Sequence, residues 1–311
     1  MIYSDERVFM NTIIRLQVVS SKGTIYTRSK IEDAYQCFDT VVKKFSRFSK
    51  TSELTQLNNS AAKPFKASTE LFTLLQLALK VAKISDYAYD PTIIDLLEAY
   101  GYDANQDYQR LNRSDIGIEV QKLAAKRPSC DGISLNVKEH TVTLKPNQRV
   151  DLGSVAKGYA IDLAYEVLAG NGFDGFLINA GGDLRAYGCN SKNLPWRVML
   201  YRSQLPNQRY QQDVSLGSIV LENMAIAGSG GWARRDGSFH HLLNPKNGQP
   251  LNSIAHTFVM ADNATEADVW ATALFVMGVA GLEILQQQKL EGLVVTAEGE
   301  VLQTENLKYD I

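Results

Sequence analysis

The sequence has little of what would mark out a common function class. Three cysteines, Cys37, Cys130 and Cys189, stand far apart in 311 residues. An odd, scattered set argues for reduced thiols over a disulfide framework. No Cys/His cluster has zinc spacing, and the four histidines, His140, His240, His241 and His256, include one adjacent pair. Neither sign of charge is in excess: 32 Lys and Arg against 34 Asp and Glu leave a net charge of −2, so nothing electrostatic points to nucleic acid. No uninterrupted apolar run approaches the roughly 20 residues of a membrane span. Met1 to Arg15 carries acids and lacks the apolar core of a secretory or lipoprotein signal, so a cytoplasmic location is expected. The remaining composition, 45% hydrophobic and 21% charged, is ordinary for a soluble globular protein. The length suits one large domain, or two intimately packed lobes dividing near residue 130.

The most informative stretch is Val150-Asp151-Leu152-Gly153-Ser154-Val155-Ala156-Lys157-Gly158-Tyr159-Ala160-Ile161-Asp162. It reads as a strand end, a small-residue turn and a helix. Gly153 and Ser154 let backbone approach a ligand. Lys157 falls on the first helical turn, where free N–H groups and the helix dipole favour an anion. Asp151 could accept hydrogen bonds from a ring or ribose, or face a metal. A phosphorylated ligand is one reading, and an ordinary turn with a solvated lysine is the other. The stretch has neither Walker nor dinucleotide-fingerprint spacing.

Periodicity places a strand over Phe9 to Val19 and helices over Ile31 to Ser46 and Leu71 to Ser85, the second capped by Ser68. A short helix is expected from Asp90-Pro91-Thr92 to Tyr100, a polar loop over Gly101 to Gln109, and a helix over Ser114 to Ala125. Ile133 to Val137 and Thr141 to Leu144 alternate as a hairpin. Further strands are expected at Phe176–Asn179, Trp196–Tyr201, Val214–Leu221, Met224–Ala227 and Thr257–Met260, with a closing hairpin at Leu293–Thr296 and Glu300–Thr304. Helices fall at Ala156 to about Leu168 and, strongly apolar, at Glu266 to Met277. This mixture lacks a βαβ rhythm, so the fold class is α+β, a largely antiparallel sheet covered by helices.

Small or polar residues recur where strands end: Tyr89-Asp90-Pro91-Thr92, Asn179-Ala180-Gly181-Gly182-Asp183, Gly228-Ser229-Gly230-Gly231 and Asn244-Pro245-Lys246-Asn247-Gly248. Each alone has the look of a tight turn; together with the Asp151 turn they suggest a composite ligand site. Asp268 and Thr272 lie four apart and share a helix face, two oxygens suited to a hard cation such as Mg²⁺. Dipole capping by Asp268 and back-bonding by Thr272 is the structural alternative. Of His240-His241, one ring should face the interior and the other solvent.

In this order the segments resemble the FAD:protein FMN transferase family, also called ApbE. Met10-Asn11-Thr12 resembles M-G-T, and FSKTSELTQLN from Phe48 resembles Y-R-x-x-S-E-L-x-x-L-N. Tyr89-Asp90-Pro91-Thr92 resembles F-D-P-T, and DLGSVAKGYAID resembles D-L-G-G-I-A-K-G-Y-A-V-D. INAGGD resembles N-x-G-G-D/N, HLLNPKNGQP resembles H-I-I-D-P-x-T-G-x-P, and EADVWATALFVMG resembles A-D-A-L-A-T-A-L-F-V-L-G. The resemblance covers nearly the whole chain and implies an α+β fold with an FAD cleft between sheet ends and loops. It implies FMN transfer from FAD to a Thr or Ser hydroxyl of an acceptor protein, with Mg²⁺ at the pyrophosphate and AMP released. Met10 and Phe48 would lie near the isoalloxazine. Ala88, Tyr89, Asp90, Asp151 and Lys157 would contact the nucleotide, with Gly181, Gly182 and Leu242 completing the cofactor-binding set. The Ser154 carbonyl, Asp268 and Thr272 would hold the metal, with Ala271 nearby, and His241 would assist proton removal.

The chain departs from the family pattern at Asn11 (usually Gly), Ser154 (often Gly or Ala) and Asn244 (usually Asp). Gly228, Gly231, Trp232 and Ala233 also depart from a T-S-G-D-Y-E-R pattern in which Ser229, Gly230 and Arg234 fit. Two alternatives keep the same site: hydrolysis of FAD to FMN and AMP, and a non-catalytic FAD-binding protein. Asp268→Ala is expected to abolish metal-dependent turnover and spare the fold, on the reading that its carboxylate faces the surface.

Overall fold

The computed structural model describes residues 1–60, 62–103, 115–202, 214–231, 235–236 (backbone alone) and 239–310. Most of the expected Gly101–Gln109 loop, Ser114, and Trp232, Ala233 and Arg234 lie outside these. The first half runs β1 (Ile2–Phe9), β2 (Thr12–Val19), α1 (Thr24–Phe45), α2 (Glu53–Asn59), β3 (Phe65–Lys66), α3 (Thr69–Ile84), α4 (Ile94–Ala99), α5 (Ile116–Lys126), β4 (Ser134–Asn136) and β5 (Thr141–Thr143). It continues through α6 (Ala156–Ala169), β6 (Gly175–Ala180), β7 (Asp183–Gly188), β8 (Trp196–Arg202), β9 (Val214–Leu221), β10 (Ala225–Gly230), β11 (Arg235–Asp236) and β12 (Phe239–His240). The chain closes with β13 (Ile254–Ala261), α7 (Ala264–Met277), α8 (Gly281–Gln287), β14 (Glu291–Thr296), β15 (Val301–Gln303) and β16 (Tyr309–Asp310).

Eight strands form the central sheet in the order β1-β2-β6-β7-β10-β13-β14-β15. Every neighbouring pair is antiparallel. One face is covered by α1, α3, α6 and α7, and the apolar cluster beneath them runs from Ile14 to Val294, across residue 130. The other face is covered by a three-stranded sheet, β16-β9-β8, over Leu177, Trp196, Ile219 and Phe258.

The helices follow their apolar spacing. α1 buries Thr27, Ile31, Ala34, Tyr35, Phe38, Val41 and Phe45, a stripe at intervals of three and four. It starts seven residues before the expected Ile31, because Ile25 and Tyr26 in its first turn are exposed and fall off the buried stripe. α3 is capped as expected, the Ser68 side chain accepting the Leu71 N–H. α7 is apolar on all sides because it is enclosed by β10, β13 and α6. Its first turn is held twice: Asn263 accepts the Glu266 N–H, and Asp162 accepts the Ala264 and Thr265 N–H groups. The stretch Ala264–Gln287, though interrupted by Glu266, Asp268 and Glu283, is long and apolar enough on average to cross a membrane. More than half of its most apolar window is buried in the fold, which accounts for its composition without a membrane.

Two expected elements are different. Phe9–Val19 is not one strand: β1 ends at Phe9, and Met10 and Asn11 turn the chain with φ of 52° and 57°. A two-residue hairpin loop of the type I′ kind needs positive φ at both positions, and asparagine is among the non-glycine residues that tolerate it best. Gly228-Ser229-Gly230 is not a turn but the end of β10. There a Cβ on Gly228 would meet His256 Nε2 at 2.9 Å, and one on Gly230 would also meet the His256 ring. Those glycines make room for His256 and Phe258, whose rings stack 4.4 Å apart.

Candidate functional site

The site forms where one end of the central sheet meets the N-terminal ends of α6 and α7. Two tight hairpins sit side by side there, Met10–Asn11 between β1 and β2 and Gly181–Gly182 between β6 and β7, since Ile14 pairs with Ala180. Gly181 has φ +62° and lies against the Thr12 side chain, so it admits no Cβ; Gly182 has φ +101° and faces open space. Asp183, the next residue, is buried. One of its oxygens accepts the Gly228 N–H at 3.0 Å and the other pairs with Lys157 Nζ. The expected first-turn lysine is therefore present at the sheet end, fixed by a carboxylate and still about one-fifth exposed.

Asp268 is 5% exposed, not surface-facing as the sequence suggested, and its Oδ2 accepts the Gly158 N–H at 3.0 Å. In a regular helix that N–H would be directed at the Ser154 carbonyl. Among the described residues no backbone N–H is directed at Ser154 O. Gly158 also permits this approach, because a Cβ there would strike the Ala264 backbone. Thr272 Oγ1 lies 3.3 Å from Ser229 Oγ. The Ala271 carbonyl accepts the buried Thr257 hydroxyl at 2.8 Å. No group of three or more His, Cys, Asp or Glu side chains that could hold a metal occurs among the described residues. The Ser154 carbonyl, Asp268 carboxylate and Thr272 hydroxyl are all hard oxygen donors, a set that fits Mg²⁺ completed by water and phosphate.

The loop side is built on Arg47, which sequence reasoning passed over. Its side chain is 6% exposed. Nε lies 3.5 Å from Asp151 Oδ2, Nη1 lies 3.5 Å from Glu98 Oε1, and Nη2 donates to Tyr102 O at 2.7 Å. The guanidinium also underlies the Phe48 ring at 4.3 Å. Phe48 is 43% exposed, and Tyr102 faces both it and His241, with centroids at 6.4 and 6.2 Å. Asp151, Phe48, Tyr102 and His241 thus form one connected surface. The only sequence signal for Arg47 was its place before the resembling FSKTSEL segment. Asn58 fixes the entrance of the Asp151 turn, bonding both the N–H and the carbonyl of Val150.

Tyr89 is buried, and its hydroxyl lies 2.9 Å from Ser154 Oγ. Asp90 is buried too, but its oxygens are turned inward. Oδ1 accepts the Thr92 N–H and hydroxyl, and Oδ2 pairs with Arg127 at 2.9 Å. Arg127 also donates to Pro245 O, so the pair ties the Tyr89–Thr92 loop to the Asn244–Gly248 loop. The structure gives Asp90 this clasp in place of an open face towards a ligand. Ala88 is half-buried beside it. Leu242 is 5% exposed and part of the core. As expected for the histidine pair, His240 is interior, its Nε2 2.9 Å from Leu251 O, whereas His241 is only half-buried. Asn244 does locally what a carboxylate would do there: Oδ1 accepts the Lys246 N–H at 2.9 Å.

Known proteins resemble this chain in sequence and fold. A model of the ApbE family matches residues 10–294. The FAD:protein FMN transferase of Vibrio cholerae is 24% identical over 294 residues, 92% of this chain and 85% of its own length. That of Rhodobacter capsulatus is 32% identical over 234 residues, 73% of this chain and 42% of its own length. The crystal structure of an ApbE protein from Thermotoga maritima superposes with a TM-score of 0.85 at 27% identity, covering 98% of this chain and 97% of that one.

Proposed function

The chain belongs to the ApbE family, and from that premise we propose that it is an FAD:protein FMN transferase, moving FMN from FAD to a Thr or Ser hydroxyl of an acceptor protein. The observation that carries the reading is the convergence of Lys157, Ser154, Asp268 and Thr272 at one sheet end, joined through Asp151 and Arg47 to Phe48 and His241. In this reading the Ser154 carbonyl, Asp268 and Thr272 hold Mg²⁺, with Ala271 beside them. The ion, when bound, neutralises charge on the pyrophosphate oxygens.

The residues divide the work. Lys157, at the N-terminal turn of α6, adds positive charge where a phosphate would sit, and Asp183 fixes its direction. Phe48, supported by the Arg47 guanidinium, offers an exposed aromatic face for the isoalloxazine, with Met10 at the neighbouring hairpin. Asp151, held by Arg47, accepts hydrogen bonds from the nucleotide, while Ala88, Tyr89, Gly181 and Gly182 shape the walls. The acceptor hydroxyl oxygen forms a bond to the flavin-side phosphorus as the bond to AMP breaks. His241 takes the hydroxyl proton, and AMP leaves with the bridging oxygen. Leu242 and Asp90 support the site from within.

The test is one reaction: purified protein, FAD and Mg²⁺, with and without an acceptor protein carrying a flavinylation threonine. AMP release together with a fluorescent acceptor band on a denaturing gel, both lost on chelation, is the expected result. AMP and free FMN without labelled acceptor would replace transfer by hydrolysis, and intact FAD throughout would leave only binding.

A further inference from the structure

Two departures of this chain from the motifs it resembles meet in space. Tyr89 stands where F-D-P-T has phenylalanine, and Ser154 stands where glycine or alanine is frequent. Their hydroxyls are 2.9 Å apart, between loops 65 residues distant in sequence. The Tyr89 ring is 3% exposed, so its hydroxyl needs a protein partner. Ser154 is thereby anchored through its side chain while, among the described residues, no backbone N–H engages its carbonyl. Its side chain is tied to Tyr89, and the Gly158 N–H that would otherwise occupy its carbonyl goes to Asp268.

We propose that the Tyr89–Ser154 hydroxyl pair is a positioning element that sets how tightly this chain holds the metal and pyrophosphate end of its substrate. The proposal rests on the reading of the site given above. Neither residue acts on the reacting atoms through its hydroxyl. The pair fixes the turn from Asp151 to Val155, and with it the direction of the Ser154 carbonyl. An apolar pair at these positions would remove the hydroxyl tie at Ser154 and leave the turn to the Asp151 side chain, which accepts the Gly153 N–H, and to backbone bonds such as Val155 N–H to Leu152 O.

The test is FAD binding, followed by flavin fluorescence at increasing MgCl₂, in the wild type, Tyr89→Phe, Ser154→Ala, Ser154→Thr and the Tyr89→Phe/Ser154→Ala double variant, with a urea unfolding curve for each. Tyr89→Phe and Ser154→Ala should each raise the Mg²⁺ concentration for half-maximal FAD binding by about three- to tenfold, the worth of one hydrogen bond. The double variant should be no worse than the weaker single, because both remove the same contact. Ser154→Thr, which keeps a hydroxyl for Tyr89, should lose less than Ser154→Ala. Variants that move the unfolding midpoint and leave the Mg²⁺ dependence alone would overturn the proposal, as would additive losses in the double variant. Tyr89→Phe leaves no buried orphan and decides the matter even if Ser154→Ala unfolds. Wild-type binding of FAD that ignores Mg²⁺ would overturn the metal reading and the proposal together. Metal-dependent wild-type binding with unchanged variants would overturn the pair alone.

Discussion

The central sheet has two faces closed by different means. On the helix face, polar groups do the closing at the sheet end: Asp162 and Asn263 cap α7, Asp268 reaches Gly158, and Lys157 meets Asp183. On the other face rings do it. Trp196 of the three-stranded sheet packs in one cluster with Phe258 of the central sheet, and His256 lies against Gly228 and Gly230. Both faces contain a buried titratable side chain, yet only the first gathers several around one opening. Helix N-terminal ends explain the difference, since they bring unsatisfied N–H groups to the sheet end and call for carboxylates there. A strand-on-strand face has no such ends.

The largest expected effect tests the close crossing on the helix face. Gly158→Ala drives a methyl group into the Ala264 backbone and should cost about 3 kcal/mol or more in a urea unfolding experiment. Retained stability would show that α6 and α7 can part, and that the crossing does not set the site. Next is Asp268→Asn, which keeps an oxygen for the Gly158 N–H and removes the charge. AMP release should fall about 100-fold or more with stability changed by less than about 1 kcal/mol. Asp268→Ala would confuse the two effects, because this carboxylate is buried and hydrogen-bonded.

On the ring face, Gly230→Ala should cost roughly 1–3 kcal/mol by crowding His256, with FAD affinity preserved. Loss of FAD binding at full stability would erase the division between the faces. The smallest effect is a pH dependence. Burial lowers the His256 pKa from 6.5 to about 4. The folded ring stays neutral, so the unfolded chain takes up the proton first as pH falls. Its stabilisation is complete above about pH 6.5 and is lost between there and pH 4. The loss is on the order of 2 kcal/mol, with allowance for the exposed part of the ring. Unfolding curves across that window should show the slope, and His256→Phe should flatten it.

Most of the fold was legible, for reasons that differ by element. α3 announced itself through Ser68 and its apolar stripe, and the closing β14–β15 hairpin through alternation. The Met10–Asn11 break was invisible because β1, with Ser4, Asp5, Glu6 and Arg7 in its middle, has no apolar alternation to mark it as the partner strand of a hairpin. The glycines of β10 looked like a loop because their reason, the His256 and Phe258 rings, lies across a strand pair 26 to 30 residues away. Within the site, Asp268 and Thr272 drew notice because one turn of α7 separates them, and Lys157 because it falls on the first turn of a different helix, α6. The resemblance implied a nucleotide contact for Asp90, and its pairing with Arg127, 37 residues away, was not legible from the sequence. Arg47 was missed for the same reason: it matters through Asp151, Glu98 and Tyr102, none of them its neighbours in sequence.

The account stands on where the site is, and amide hydrogen exchange with and without FAD and Mg²⁺ measures that directly. It predicts added protection at Phe48 and its loop, residues 151–158, the first turns of α7 and the two hairpins at Met10–Asn11 and Gly181–Gly182. It predicts no change over β8, β9 and β16. Protection confined to those three strands, with the sheet end unaltered, would contradict it.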